Sequence, residues 1–194
     1  MPRGPRQVYK NAFLSITSRG NNKRVLFRKE KDYKYFAQLL LRYKIKHKFK
    51  LYHYCIMRNH LHLLLQIKDS ASLAKIMQGM QLAYFHYFRK RYGYVGRLWQ
   101  GRFYSKLIED DKYLLTAGLY MEKNPVRAGI VKDPKNYAWS SYNCYAFGIK
   151  NQLVDYDFYY LKLGITEKKR ESEYREIMGC YIQEMENHTS LLVH

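Results

Sequence analysis

The sequence predicts an α+β domain: an antiparallel sheet backed by helices on one face, followed by a helical tail. Three observations predict it. Short alternating or β-branched stretches interleave with longer segments of helical apolar spacing. Gly, Asn and Pro mark the junctions. The resulting order of strand, helix, two extended segments, helix, strand and helix suits a sheet covered by helices. At 194 residues, 47% of them hydrophobic, the chain can fill one core and carry an extension.

Phe13-Leu14-Ser15-Ile16-Thr17-Ser18 alternates and reads as the first strand, broken by the turn residues Arg19-Gly20-Asn21-Asn22. From Asp32 to about Lys46, the spacing of Phe36, Leu39, Leu40 and Tyr43 predicts a helix. Residues 49–54 and 56–67 read as extended, either one long bent strand or a hairpin. Ser70 or Ser72 caps a helix whose stripe of Leu73, Ile76, Met77, Met80, Tyr84, Tyr87 and Phe88 faces the core. Residues 93–101 read as a loop and 102–108 as a strand. Asp110 or Asp111 caps a last helix from about Lys112 to Lys123, which Pro125 is expected to end. Residues 149–194 form a mostly helical extension with its own composition.

Charge restricts the partners. Thirty-five Lys and Arg against 16 Asp and Glu give +19. Residues 151–194 hold five basic and eight acidic residues, a net of −3, which leaves 30 against eight, or +22, in the first 150. Such a field favours a polyanion, above all nucleic acid. Many of the 21 Tyr and nine Phe lie beside Lys or Arg and suit stacking on unpaired bases. A membrane partner is not expected: no apolar run approaches 20 residues and no basic amphipathic segment stands out. The first residues lack the apolar run of a signal peptide, and three widely spaced cysteines (Cys55, Cys144, Cys180) suit a reducing cytoplasm.

One pair of residues points to chemistry. Alternation along a strand puts His60 and His62 on one face and Leu61 and Leu63 on the other, so the two imidazoles can share a metal ion. On the last helix, Tyr120 and Asn124 lie four apart and project from one side.

Arg58-Asn59-His60-Leu61-His62, Gly96-Arg97-Leu98-Trp99-Gln100-Gly101-Arg102-Phe103 and Asn124-Pro125-Val126-Arg127-Ala128-Gly129 occur in one order. Together with Thr17 to Asn22 and Trp139-Ser140-Ser141-Tyr142, they resemble the single-tyrosine HUH transposases, and among these the REP-associated tyrosine transposases. The resemblance covers roughly residues 5–147 and defines an expected transposase domain of 1–148. It implies a ferredoxin-like sheet with the His pair on a central strand. It also implies His60, His62 and Asn124 as ligands of Mg²⁺ or Mn²⁺, and Tyr120 as a nucleophile that forms a 5′-phosphotyrosine. The implied substrate is single-stranded DNA carrying a palindromic hairpin, handled by a monomer or a homodimer in the bacterial cytoplasm near the nucleoid. Candidate DNA contacts are Arg3, Arg6, Arg19 and Asn21, then the alternating Lys44, Lys46, Lys48 and Lys50, then Arg97 and Arg102 flanking a stacking Trp99. A domesticated hairpin-binding protein without efficient cleavage is the main rival. A replication initiator and a structural zinc site are weaker ones.

Overall fold

The computed structural model describes residues 9–68, 70–109 and 113–190. At its centre, β1 (Phe13–Arg19), β2 (Lys50–Met57), β3 (His60–Gln66) and β4 (Tyr104–Ile108) pair antiparallel in the order β2-β3-β1-β4. With α1 (Glu30–His47) joining β1 to β2 and α2 (Ser70–Tyr92) joining β3 to β4, this is the ferredoxin-like βαββαβ arrangement. Strand β1 lies between β3 and β4, and β3 lies between β2 and β1, so the His pair sits on an inner strand.

Alternation along the strands builds the main core. Leu14 and Ile16 of β1 and Leu61, Leu63 and Leu65 of β3 point to one face. There they meet Phe36, Leu39 and Leu40 of α1 and Ile76, Met77, Met80, Tyr84 and Phe88 of α2. Helix α1 starts where the buried carboxylate of Asp32 accepts the backbone N–H groups of Arg28 and Lys29, at 2.8 and 2.9 Å. It ends at Lys48, which adopts a left-handed φ of 52°.

The expected helices on one face are α1 and α2. The third long helix, α3 (Tyr113–Arg127), packs on the opposite face, where Leu114 and Met121 meet Tyr52 and Leu64. That is also the face of the two histidines, since Leu64 lies two residues beyond His62.

Three boundaries differ from the sequence reading. The extended run breaks at Arg58 and Asn59, a two-residue hairpin turn, so His60 opens β3. The last strand starts at Tyr104, two residues later than expected. Pro125 lies inside α3 rather than ending it. Proline there removes the N–H that would bond the Met121 carbonyl. The Asn124 side-chain amide supplies that donor instead, at 3.2 Å, and Gly129 with a φ of 66° closes the helix four residues later. The expected caps Asp110 and Asp111, and Lys112, lie outside the described residues.

The C-terminal segment folds back against α3. It comprises α4 (Tyr142–Phe147), α5 (Phe158–Lys162) and α6 (Glu167–Ser190). Tyr145, Tyr160, Tyr174 and Met178 bury themselves around Leu119 of α3. Among the described residues no helix is long and apolar enough to cross a membrane.

Gly118 is required at its place on α3, because a Cβ there would run into the ring of His53 on β2. That ring is fully buried and has no room to give. Gly118→Ala is therefore expected to destabilise the protein by about 1–3 kcal/mol despite the better helix propensity of alanine. A urea midpoint unchanged or raised in Gly118→Ala would refute this packing.

Candidate active site

The hairpin turn and the sheet register position the histidines. His60 opens β3 opposite Arg19 of β1, and His62 faces Thr17. The two rings stand 4.9 Å apart between centroids and are nearly perpendicular. Each Nδ1 already has a partner: the Asn59 side-chain oxygen at 2.7 Å for His60, and the Thr17 hydroxyl at 3.1 Å for His62. Partners on Nδ1 orient both rings and leave both Nε2 atoms available. Burial, reinforced by the nearby Arg19 charge, pulls His60 down to about 4. Burial, His60, Arg19 and Arg127 together pull His62 down to about 3. Both imidazoles are therefore neutral near pH 7, the state that binds a metal ion.

Tyr120 reaches the same place from α3. It lines, with His62, Thr17, Arg19, Arg102 and Tyr104, an open cleft of about 500 Å³. Tyr120 is 41% exposed, and its hydroxyl accepts a 2.7 Å hydrogen bond from Nη1 of Arg127, about two helical turns further along the same side. Asn124 lies a turn beyond Tyr120. Its amide nitrogen donates to the carbonyls of Tyr120 and Met121, both at 3.2 Å, which leaves its side-chain oxygen uncommitted. Neutral imidazoles and a neutral amide oxygen are donor types that suit Mg²⁺ or Mn²⁺, but His60 and Asn124 are not among the residues that line the cleft with His62 and Tyr120. Among the described residues no three His, Cys, Asp or Glu side chains gather into a metal-binding group.

Beneath Tyr120 lies a second constellation that the sequence did not reveal. Residues two apart on a helix point roughly opposite ways, so Tyr120 faces the cleft while Glu122 faces inward and is fully buried. Its carboxylate accepts hydrogen bonds from His53 Nδ1 at 2.9 Å, from the Ser141 hydroxyl and from the Tyr174 hydroxyl at 2.6 Å. On the other side of the ring, His53 Nε2 stands 3.4 Å from Asp157, an ion-pair distance rather than a tight hydrogen bond. Asp157 also caps α5 through the N–H groups of Tyr159 and Tyr160. Burial alone would lower the His53 pKa, but the two carboxylates outweigh it and push it up to about 9. The imidazolium is thus sandwiched between charges from α3 and from the C-terminal segment. Glu122 lies 69 residues from His53, so no local pattern could have joined them.

The expected DNA contacts separate into groups. Arg19 and Arg102 share the cleft with His62 and Tyr120. Asn21 and Arg97 lie on neighbouring loops, stitched by the Asn21 N–H to the Leu98 carbonyl at 2.8 Å. Trp99 corrects the stacking expectation: it is buried in the main core and its indole N–H donates to the Gln81 carbonyl. Beside Tyr120, the exposed aromatic that lines the cleft is Tyr104. The alternating lysines do not form one strand face. Lys44 and Lys46 belong to α1, Lys48 ends it and Lys50 begins β2 at the opposite end of that strand from the His60 pairing. Lys44 is also engaged, at 2.8 Å from Asp155 and bonded to the carbonyls of Gln152 and Leu153. Arg3 and Arg6 lie outside the described residues.

A four-stranded ferredoxin-like sheet thus bears a strand-borne His pair, with a helix-borne tyrosine in the same cleft as His62. The comparisons give the family: the profile described as "Transposase IS200 like" matches residues 9–124, and the chain belongs to that family. Over 100 residues it is 33% identical to a Haemophilus influenzae protein assigned as a REP-associated tyrosine transposase. That match takes in 46% of this chain and 56% of the relative's length, so it spans little more than half of that relative. The fold is shared with a REP-associated tyrosine transposase solved bound to a REP hairpin, at a TM-score of 0.61 and 20% identity, covering 81% of this chain and 93% of the other.

The raised pKa of His53 has a definite sign. A folded-state value of about 9 above an ordinary 6.5 stabilises the protein fully below pH 6.5, and that contribution is lost as pH rises through 9. Asp157, held low by His53 and its backbone donors against the cost of burial, contributes above its ordinary range and is lost in acid. Wild-type urea midpoints are expected to fall between pH 6.5 and 9.5, whereas those of His53→Gln stay flat over the same range. Parallel curves would contradict the charged assignment.

Proposed function

We infer that this protein is a metal-dependent, single-strand-specific DNA endonuclease and strand transferase that cleaves beside hairpins through a 5′-phosphotyrosine. The observation that carries this reading is the shared cleft of Tyr120 and His62 within one chain, with Arg127 bonded to the phenol oxygen. The hairpin bound by the solved relative supports a hairpin substrate here, as does the +22 field of the first 150 residues.

In this reading Arg19 and Arg102 receive the phosphodiester backbone in the cleft, and Tyr104 offers a ring against which a base can stack. Tyr120 Oη attacks the scissile phosphorus in line. The bond from phosphorus to O3′ breaks, leaving a free 3′-OH and a phosphate ester linking Tyr120 to the 5′ end. Arg127, on the phenol oxygen, stabilises the negative charge that grows there as the proton passes to solvent water, and the leaving O3′ takes up a proton from water in turn. The ester keeps the phosphodiester energy, so attack by another 3′-OH on the same phosphorus rejoins the strand and releases Tyr120. His60, His62 and Asn124 would hold Mg²⁺ or Mn²⁺, which supplies charge neutralisation at a non-bridging phosphate oxygen. Tyr120 lines one cleft with His62 of its own chain, which supports catalysis by a tyrosine acting in cis.

The test is a denaturing gel of the full chain with labelled single-stranded hairpin oligonucleotides, with Mn²⁺ or with chelator. A protein-sized DNA adduct is expected with Mn²⁺, and it is expected to vanish in chelator, in Tyr120→Phe and in His60→Ala with His62→Ala. Tight hairpin binding without an adduct would replace this reading with that of a non-cleaving module. Arg127→Ala is expected to keep hairpin affinity within about threefold while slowing adduct formation about 100-fold, the usual scale for losing one charge-stabilising donor. An unchanged rate would remove Arg127 from the chemistry.

A further inference from the structure

A second concave site lies around the Arg58–Asn59 turn that leads into His60. It has a volume of about 560 Å³ and is lined by Asn22, Lys23, Arg24, Val25, Arg28 and Arg58. The loop that carries it is fixed in place: the Arg58 carbonyl accepts the N–H groups of Leu26 and Phe27, and the Asn59 carbonyl that of Gly20. Two of its cations lie over aromatic rings. The guanidinium of Arg24 lies 4.6 Å from the centre of Tyr94, and that of Arg28 lies 4.5 Å from Tyr92 and 4.9 Å from Phe88.

A guanidinium stacked on a ring loses freedom but keeps its in-plane N–H edge, the edge that grips a phosphate. Four cations share this site, and among the described residues none of them is ion-paired with a carboxylate. Cations gathered at the surface of a fold without a counter-anion repel one another, a cost that an anionic ligand would relieve. Arg58 stands two residues before His60 in the chain, while Leu26 and Phe27 anchor the loop in the core on the other side of the sheet.

We propose that this pocket is a phosphate clamp for the single-stranded DNA flank. It grips one or two phosphodiesters of the strand that leaves the active-site cleft over the Arg58–Asn59 turn, independently of base sequence. This rests on the function proposed above, and it assigns Lys23, Arg24, Arg28 and Arg58 a role separate from the cleft arginines. A charge that neutralises a single-strand phosphate contributes about 0.7 to the slope of log affinity against log salt.

The experiment compares wild type with Lys23→Gln/Arg58→Gln, whose changed side chains make no core contact. Salt titrations use two probes, a hairpin with its single-stranded flank and the same hairpin trimmed blunt, and adduct formation is followed in parallel. The clamp predicts that the double variant loses about 0.7–1.4 from the slope on the flanked probe, the share of one to two phosphates, and nothing on the blunt one. Equal slopes for both proteins on the flanked probe would overturn it. An equal loss on both probes would also overturn it, because the pocket would then contact the stem. Adduct formation by wild type alongside either negative outcome would leave the proposed function standing and remove the clamp alone, whereas a wild type that neither binds nor forms an adduct would remove both.

Discussion

Burying an imidazolium is costly unless negative charge accompanies it, and His53 is fully buried. Its two companions come from different parts of the chain: Glu122 from the helix that bears Tyr120, and Asp157 from the C-terminal segment. Moving α3 away from the sheet would strand the charge of His53 against Asp157 alone, and removing the C-terminal segment would take away Asp157 and Tyr174 together. Gly118 completes the arrangement by letting α3 approach the ring closely. The position of Tyr120 over the sheet therefore follows from a buried charge balance more than from the half-exposed contacts of Tyr120 itself. The extension beyond residue 148 acts as a brace for α3.

On the cleft side, the electrostatics run the other way. His60 and His62 are held neutral by burial and by the cations around them, so their lone pairs remain available for coordination. Of the same cations, Arg19 lines the cleft and Arg127 donates to the Tyr120 hydroxyl. One sheet face thus carries a charged histidine under the helix and two neutral ones beside it. The difference lies in the neighbours: carboxylates for His53, arginines for the other two.

Sequence reasoning reached the parts of this site that are local. The His pair was legible because strand alternation has a period of two, and the core stripe of α2 because its spacing is helical. Tyr120 and Asn124 emerged only through the family motif, since 21 tyrosines offer no other way to choose one. Pro125 misled because the donor that replaces its missing N–H is a side chain, Asn124, which backbone rules do not count. Trp99 misled because flanking arginines suggest a surface while the indole turns inward to Gln81. The His53 network was hidden because its members are scattered over more than 100 positions and meet only in the folded chain.

Completion of the site within a single chain is the claim on which the account turns, and mixing inactive variants tests it directly. Tyr120→Phe lacks the proposed nucleophile, and His60→Ala/His62→Ala lacks the imidazole pair, so each is expected to be inactive alone. If the tyrosine of each chain serves its own histidines, equal mixtures of the two variants form no adduct with a hairpin oligonucleotide at any protein concentration. Adduct formation restored in the mixture would mean that α3 crosses to a second chain in the working enzyme, and the cis arrangement described here would not be the active one.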